Sequence, residues 1–207
     1  LERLGTESAF KILAEAKKLE AEGKKIINLG IGQPDFKTPK HVMEAAKKAI
    51  DDGHHGYVIS NGIPECREAV CRKINKLYGA DINPDRIIIT PGGKPTMYFA
   101  ISMFGEPGAE IIYPDPGFPV YESMINYTGA KAVPYSILDN KDLKFDPEKI
   151  LSLINERTRM LVIINPNNPT GSFVEKSAID YLANGLKKYP NLIIFSDEIY
   201  SRQIFDG

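Results

Sequence analysis

The chain has 207 residues, enough to bury a sizeable core and near the upper end of a single domain's size. Apolar residues make up 43% and charged residues 26%, an ordinary globular balance, and the net charge of −1 leaves no basic footprint for nucleic acid or an anionic membrane. No apolar run approaches the roughly 20 residues that span a bilayer. The first 20 residues are too charged for a secretory signal, and the missing initiator Met points to a trimmed segment. Cys66 and Cys71 stand five apart in a predicted helix, so they point different ways, and free thiols fit a reducing cytoplasm.

In chain order, residues 8–21 carry Phe10, Ile12, Leu13, Ala16 and Leu19 among Lys and Glu, which predicts an amphipathic helix stopped by Gly23. Residues 26–29 read as a short strand. Gly30-Ile31-Gly32-Gln33-Pro34-Asp35-Phe36 follows, a loop lacking the third Gly and the helix start of a dinucleotide fingerprint; by itself it is turn chemistry. Thr38-Pro39 predicts a helix start, with Thr as cap and Pro in the first turn, running to about Asp52. His54 and His55 are adjacent, but no third ligand stands at a usual spacing, so no metal site is predicted. Tyr57 precedes Asn61-Gly62-Ile63-Pro64-Glu65-Cys66-Arg67-Glu68, where Pro64 opens a helix closed by Gly79. Residues 86–90 read as a strand leading to Pro91-Gly92-Gly93-Lys94-Pro95 and a helix through Ala100, Ile101 and Phe104. A Gly-Gly turn into a helix is an anion cradle, which places a phosphate on the backbone of Gly93 and Lys94, although the spacing is not that of a P-loop.

Residues 110–113 predict the next strand, broken by Pro114-Asp115-Pro116-Gly117-Phe118-Pro119. Residues 131–135 predict another, 138–145 an exposed polar connection, and Asp146-Pro147-Glu148 caps a helix to about Asn155. Residues 160–164 and 192–195 are almost wholly apolar, the pattern of strands covered on both faces, and residues 175–188 between them set Ile179, Leu182, Ala183 and Leu186 on one helix face. The alternation from 86 to 195 predicts an α/β fold, a mostly parallel sheet with helices on both faces. Ligands in such sheets bind outside the carboxyl ends of the strands, where Asn168 and Asp197 both fall. A carboxylate there needs a partner, and a cationic ring nitrogen would serve. Asn165-Pro166-Asn167-Asn168-Pro169-Thr170-Gly171 alone is good turn chemistry and Asp197-Glu198 alone a helix start; in order, one helix–strand unit apart, they point to a site.

Asn167-Asn168-Pro169-Thr170-Gly171 followed by Ser196-Asp197-Glu198-Ile199-Tyr200 resembles the signature pair of the class I aminotransferases, fold-type I pyridoxal 5′-phosphate (PLP) enzymes of the aspartate aminotransferase kind. The likeness extends to Gly32-Gln33-Pro34-Asp35-Phe36 and to Tyr57 ahead of Gly62-Ile63-Pro64-Glu65-Cys66-Arg67. It implies that Asp197 holds the pyridine nitrogen protonated and that Tyr200 and Asn168 bond the ring's 3′-oxygen. Phe118 would stack on the ring, worth about 0.5 to 1.5 kcal/mol beyond burial, although a lone Phe in a loop otherwise reads as core. Gly32, with Asn168, would meet the substrate, Gly32 letting backbone approach its carboxylate. Tyr57 would reach across a homodimer interface to the neighbouring subunit's cofactor phosphate.

Lys94 does not match the family's Schiff-base lysine, which with the substrate arginine and further phosphate ligands falls past Gly207, so no catalytic residue is expected within these 207 residues. The resemblance implies an N-terminal part: residues 1–35 as helix and arm of a small domain, 36–207 as a partial large PLP-binding domain. The implied activity is transfer of an amino group between an amino acid and a 2-oxo acid in the cytoplasm. Alternatives are a non-catalytic PLP-binding or dimerisation fragment, or another fold-type I enzyme such as a β-lyase. A nucleotide-binding protein lacks its Walker or dinucleotide motif here.

Overall fold

A computed structural model describes residues 8–30, 32–137 and 145–205. The chain divides into two compact units at Gly93 and Lys94. The first unit holds α1 (Ser8–Ala21), α2 (Lys40–Asp51), α3 (Pro64–Tyr78) and a 3₁₀ turn, Pro84–Arg86. As predicted, Pro64 occupies the first turn of α3 and Gly79 closes it at φ +62°, a left-handed conformation that a side chain would strain. The segment after α3 is fastened back to it. Asn75 brackets Ile82, its Nδ2 donating to the carbonyl at 3.1 Å and its Oδ1 accepting from the N–H at 2.8 Å. The buried Arg67 donates to the Pro84 carbonyl at 3.2 Å. Both cysteines are free.

Three expectations for this unit fail. Residues 26–29 and 86–90 are not strands; Arg86 ends the 3₁₀ turn, and Ile27, Leu29 and Ile88 lie exposed. A strand exists by its ladder, and among the described residues no neighbour pairs with either segment. Thr38 is not a helix cap. Pro39 takes that place in an extended conformation, φ −52° and ψ 139°, with no side-chain cap bond, and α2 starts at Lys40.

The second unit carries the sheet. Its elements are α4 (Gly93–Phe104), β1 (Glu110–Asp115), α5 (Val120–Thr128), β2 (Lys131–Ser136), α6 (Pro147–Leu153), β3 (Thr158–Ile164), α7 (Lys176–Leu186) and β4 (Ile193–Asp197). The strands run parallel in the order β2-β1-β3-β4. Alternation along the strands feeds two cores. Ile111, Tyr113, Met160, Val162 and Ile164 join Met97 and Ile101 of α4 and Tyr121 and Ile125 of α5. Ile112, Leu161 and Ile163 join Ile150 of α6 and Leu182 of α7 on the other face. Burying each such side chain contributes about 1.5 to 3 kcal/mol. The predicted parallel sheet with helices on both faces is the fold found.

Asp146 caps α6 as predicted, accepting from the Lys149 N–H at 3.0 Å, although the helix ends at Leu153. α7 begins one residue later than predicted, after Glu175, and Ala183 faces solvent rather than the core. Gly185 takes the inward place instead, where a Cβ would come within 2.3 Å of Leu151 Cδ1. Residues 138–144 of the predicted polar connection lie outside the described residues. Phe145 is half-buried rather than exposed, its ring edge-to-face with Tyr135. The helix α5 went unpredicted. No helix among the described residues is long and apolar enough to cross a membrane.

Candidate functional site

Parallel order brings the carboxyl ends of β1, β3 and β4 side by side, and each strand delivers predicted residues there. Phe118 follows β1, Asn168 follows β3, and Asp197 ends β4 with Tyr200 three residues on. Ile164 is in register with Asp197, and the Asn165 N–H donates to the Asp197 carbonyl at 3.0 Å, carrying the ladder one residue past β3.

The loop after β3 is shaped by Asn167, which is buried. Its Nδ2 donates to the Pro116 carbonyl at 3.2 Å and to Thr170 Oγ1 at 2.9 Å, tying this loop to the one after β1. Asn168 is thereby left free to reach outward, and its Nδ2 donates to Tyr200 Oη at 3.3 Å. These two residues, with Pro166, Asn167, Pro169, Gly171, Gln203 and Phe205, line an open cavity of about 310 Å³.

Asp197 has a protein partner, which differs from the sequence expectation of a carboxylate waiting for a cation. Its Oδ2 accepts from Tyr121 Oη at 2.6 Å, and its Oδ1 accepts from the Ile199 N–H at 3.3 Å. The ion pairs among the described residues do not include Asp197. Tyr121 is wholly buried on α5. Burial first, and then the bond to Asp197, pushes its phenol well above the ordinary tyrosine value, so it stays protonated and donates. Sequence reasoning passed over Tyr121. The available signal was an aromatic at helical spacing, Tyr121 with Ile125 and Thr128, between Pro119 and Gly129.

Phe118 is half-buried against the α4–α5 core, and Lys94 Nζ lies 5.9 Å from its ring centroid, within cation–π range. Gly93 is the first residue of α4, where helix N–H groups have no intrahelical acceptor, and Gly92 before it turns at φ +92°. Gly32 and Tyr57 belong to the first unit. Gly32 lies exposed with nothing within 4 Å of where a Cβ would stand, and the Tyr57 side chain is exposed. The structure thus joins Asn168 to Tyr200 and Lys94 to Phe118, and adds Tyr121 to Asp197.

This set of groups fits PLP. The ring needs an anion for its nitrogen, a flat apolar face, donors for its oxygen and helix N–H groups for its phosphate. Asp197, Phe118, the Asn168–Tyr200 pair and the start of α4 have those chemistries.

Comparison with known proteins agrees with this architecture. An aspartate aminotransferase of Pyrococcus horikoshii is 41% identical over 181 residues, covering 87% of this chain and 46% of that protein. The solved structure of the Thermus thermophilus aspartate aminotransferase with maleate superposes at a TM-score of 0.93 with 32% identity, covering 100% of this chain and 54% of that one. An alanine aminotransferase from Pyrococcus furiosus does so at 0.90 with 34% identity, over 98% and 52%. The chain spans about half the length of the curated relatives it matches. Residues 24–207 match the family described as aminotransferase class I and II, and the chain belongs to that family.

Proposed function

We propose that the protein carrying this chain transfers an amino group between an amino acid and a 2-oxo acid with PLP as cofactor. The observation that supports this most is Asp197, a carboxylate at the end of a sheet strand whose side-chain partner is a neutral phenol rather than a cation. A cationic ring nitrogen fills that role. Bound there, PLP supplies a sink for the electrons released when a substrate Cα–H bond breaks.

This chain's residues bind and orient. Asp197 holds the proton on the ring nitrogen, and the Asn168 amide and Tyr200 hydroxyl, already bonded to each other, meet the ring oxygen. Phe118 covers one ring face. The backbone of Gly93 and Lys94 receives the phosphate at the positive end of α4. Gly32 admits the substrate carboxylate close to backbone, and Tyr57 serves the phosphate of the other subunit in a homodimer. Residues 1–35 act as the arm of a small domain and 36–207 as part of the large one. The two free cysteines support a cytoplasmic setting.

The test supplies ¹⁵N-labelled aspartate or alanine and 2-oxoglutarate to the whole natural protein with PLP. Labelled glutamate is expected; release of labelled ammonia without glutamate would mean a lyase and sink the proposal. The cross-subunit role of Tyr57 fails if mixed dimers of native and Tyr57→Phe subunits lose phosphate retention in the mutated subunit itself.

A further inference from the structure

We infer that Tyr121 is a positioning residue for the cofactor ring: it fixes the aim of the Asp197 carboxylate while leaving that group's charge for the ring nitrogen. This rests on the reading of Asp197 given above. Three features carry it. The phenol is delivered by packing rather than by a loop, since Tyr121 is wholly buried on α5 and its ring meets Phe195 edge-to-face at 5.8 Å. Phe195 and Asp197, two apart on β4, present the same face, so one side chain touches both. The bond itself, 2.6 Å from Tyr121 Oη to Asp197 Oδ2, is short and charge-assisted.

The chemical type of the donor decides its use. A lysine or arginine at Tyr121 would neutralise Asp197 and compete with a protonated ring. A phenol occupies one lone pair and adds no charge. With Ile199 N–H on Oδ1 and Tyr121 on Oδ2, both carboxylate oxygens are restrained and the plane of the group is set. Held in one plane, the carboxylate can meet a protonated ring nitrogen without first reorienting.

The test loads the whole natural protein with PLP labelled with ¹⁵N in the ring and reads the nitrogen's chemical shift beside cofactor affinity and the urea midpoint. Tyr121→Phe should move the shift toward the unprotonated value and weaken PLP binding by about tenfold, as expected for loss of one charge-assisted bond. A folded Tyr121→Phe protein with an unmoved nitrogen signal overturns the inference, whatever happens to its stability. Should that variant fail to fold, 4-aminophenylalanine at position 121, a weaker neutral donor of nearly the same shape, should shift the signal the same way by less; no movement overturns the inference equally. Asp197→Asn is measured in parallel. If it too leaves the signal unmoved, the reading of Asp197 falls and takes this inference with it. If it moves the signal and Tyr121→Phe does not, the inference alone fails.

Discussion

The two ends of the sheet each hold a carboxylate, and they are treated in opposite ways. At the amino end Glu110 is buried and fully serviced: Arg157 Nη2 lies at 2.7 Å, Arg157 Nε at 3.0 Å, Asn155 Nδ2 at 2.7 Å and Lys131 Nζ at 3.4 Å. At the carboxyl end Asp197 has a phenol and one backbone N–H. A buried charge is tolerated when paired and hydrogen-bonded, so Glu110 is finished structure. Among the described residues, Asp197 has no ion-pair partner. That difference separates a structural carboxylate from one prepared for a cationic ligand more sharply than burial does.

Asp197→Asn gives the largest expected effect: PLP affinity in the whole natural protein should fall about a hundredfold or more, the scale of losing one member of a desolvated charge pair. The same substitution should leave the PLP-free protein as stable as before or slightly more so. A urea midpoint for the PLP-free protein well below the native one would break the comparison. Gly117→Ala tests the loop that carries Phe118, because a Cβ there would lie 2.3 Å from the Pro114 carbonyl oxygen and the backbone must yield. A cost of about 1 to 3 kcal/mol is expected in thermal or urea unfolding. Glu110→Gln should cost about 1 to 2 kcal/mol, the lower range for a buried charge because Arg157 and Lys131 are themselves 63% and 69% exposed. Unchanged stability there would put the two carboxylates on a par.

Acid titration sharpens the contrast with the smallest signal. The Asn155 amide, and then the Arg157 guanidinium, hold the Glu110 carboxyl at about 2 against its burial, below the ordinary 4.5. A carboxyl lowered on folding stabilises the native state in full above about 4.5, and that contribution is lost as pH falls from there through about 2. Urea midpoints between pH 5 and 2 should therefore fall less steeply in Glu110→Gln than in the native protein.

Much of this was legible in the sequence where a segment's pattern is decided by its own residues. Met160 to Ile164 is apolar at every position and is a strand covered on both sides. Asp146-Pro147 caps a helix because the cap bond is local. Residues 26–29 and 86–90 misled because a strand-like run becomes a strand through a neighbour that its own composition does not reveal. The helix α5 was hidden by aromatic and polar residues of modest helical preference, Tyr121, Ser123, Asn126, Tyr127 and Thr128; its packing rests on the buried Tyr121 and Ile125. Asn168 and Asp197 stood out at the ends of their strands, and Tyr200 through the likeness of its motif to the aminotransferase signature. Tyr121 did not, since its bond to Asp197 spans 76 residues of chain.

The single side chain that touches both Phe195 and Asp197 also acts as a gauge of strand register. Side chains alternate along β4, so a slip by one residue would offer Tyr121 either Ile194 with Ser196 or Ser196 with Glu198 in their place. Neither pair supplies an aromatic edge for the ring together with a carboxylate for the hydroxyl. The contact that aims Asp197 therefore also penalises a misthreaded β4, and accurate assembly of this strand is checked at the residue on which its chemistry would depend.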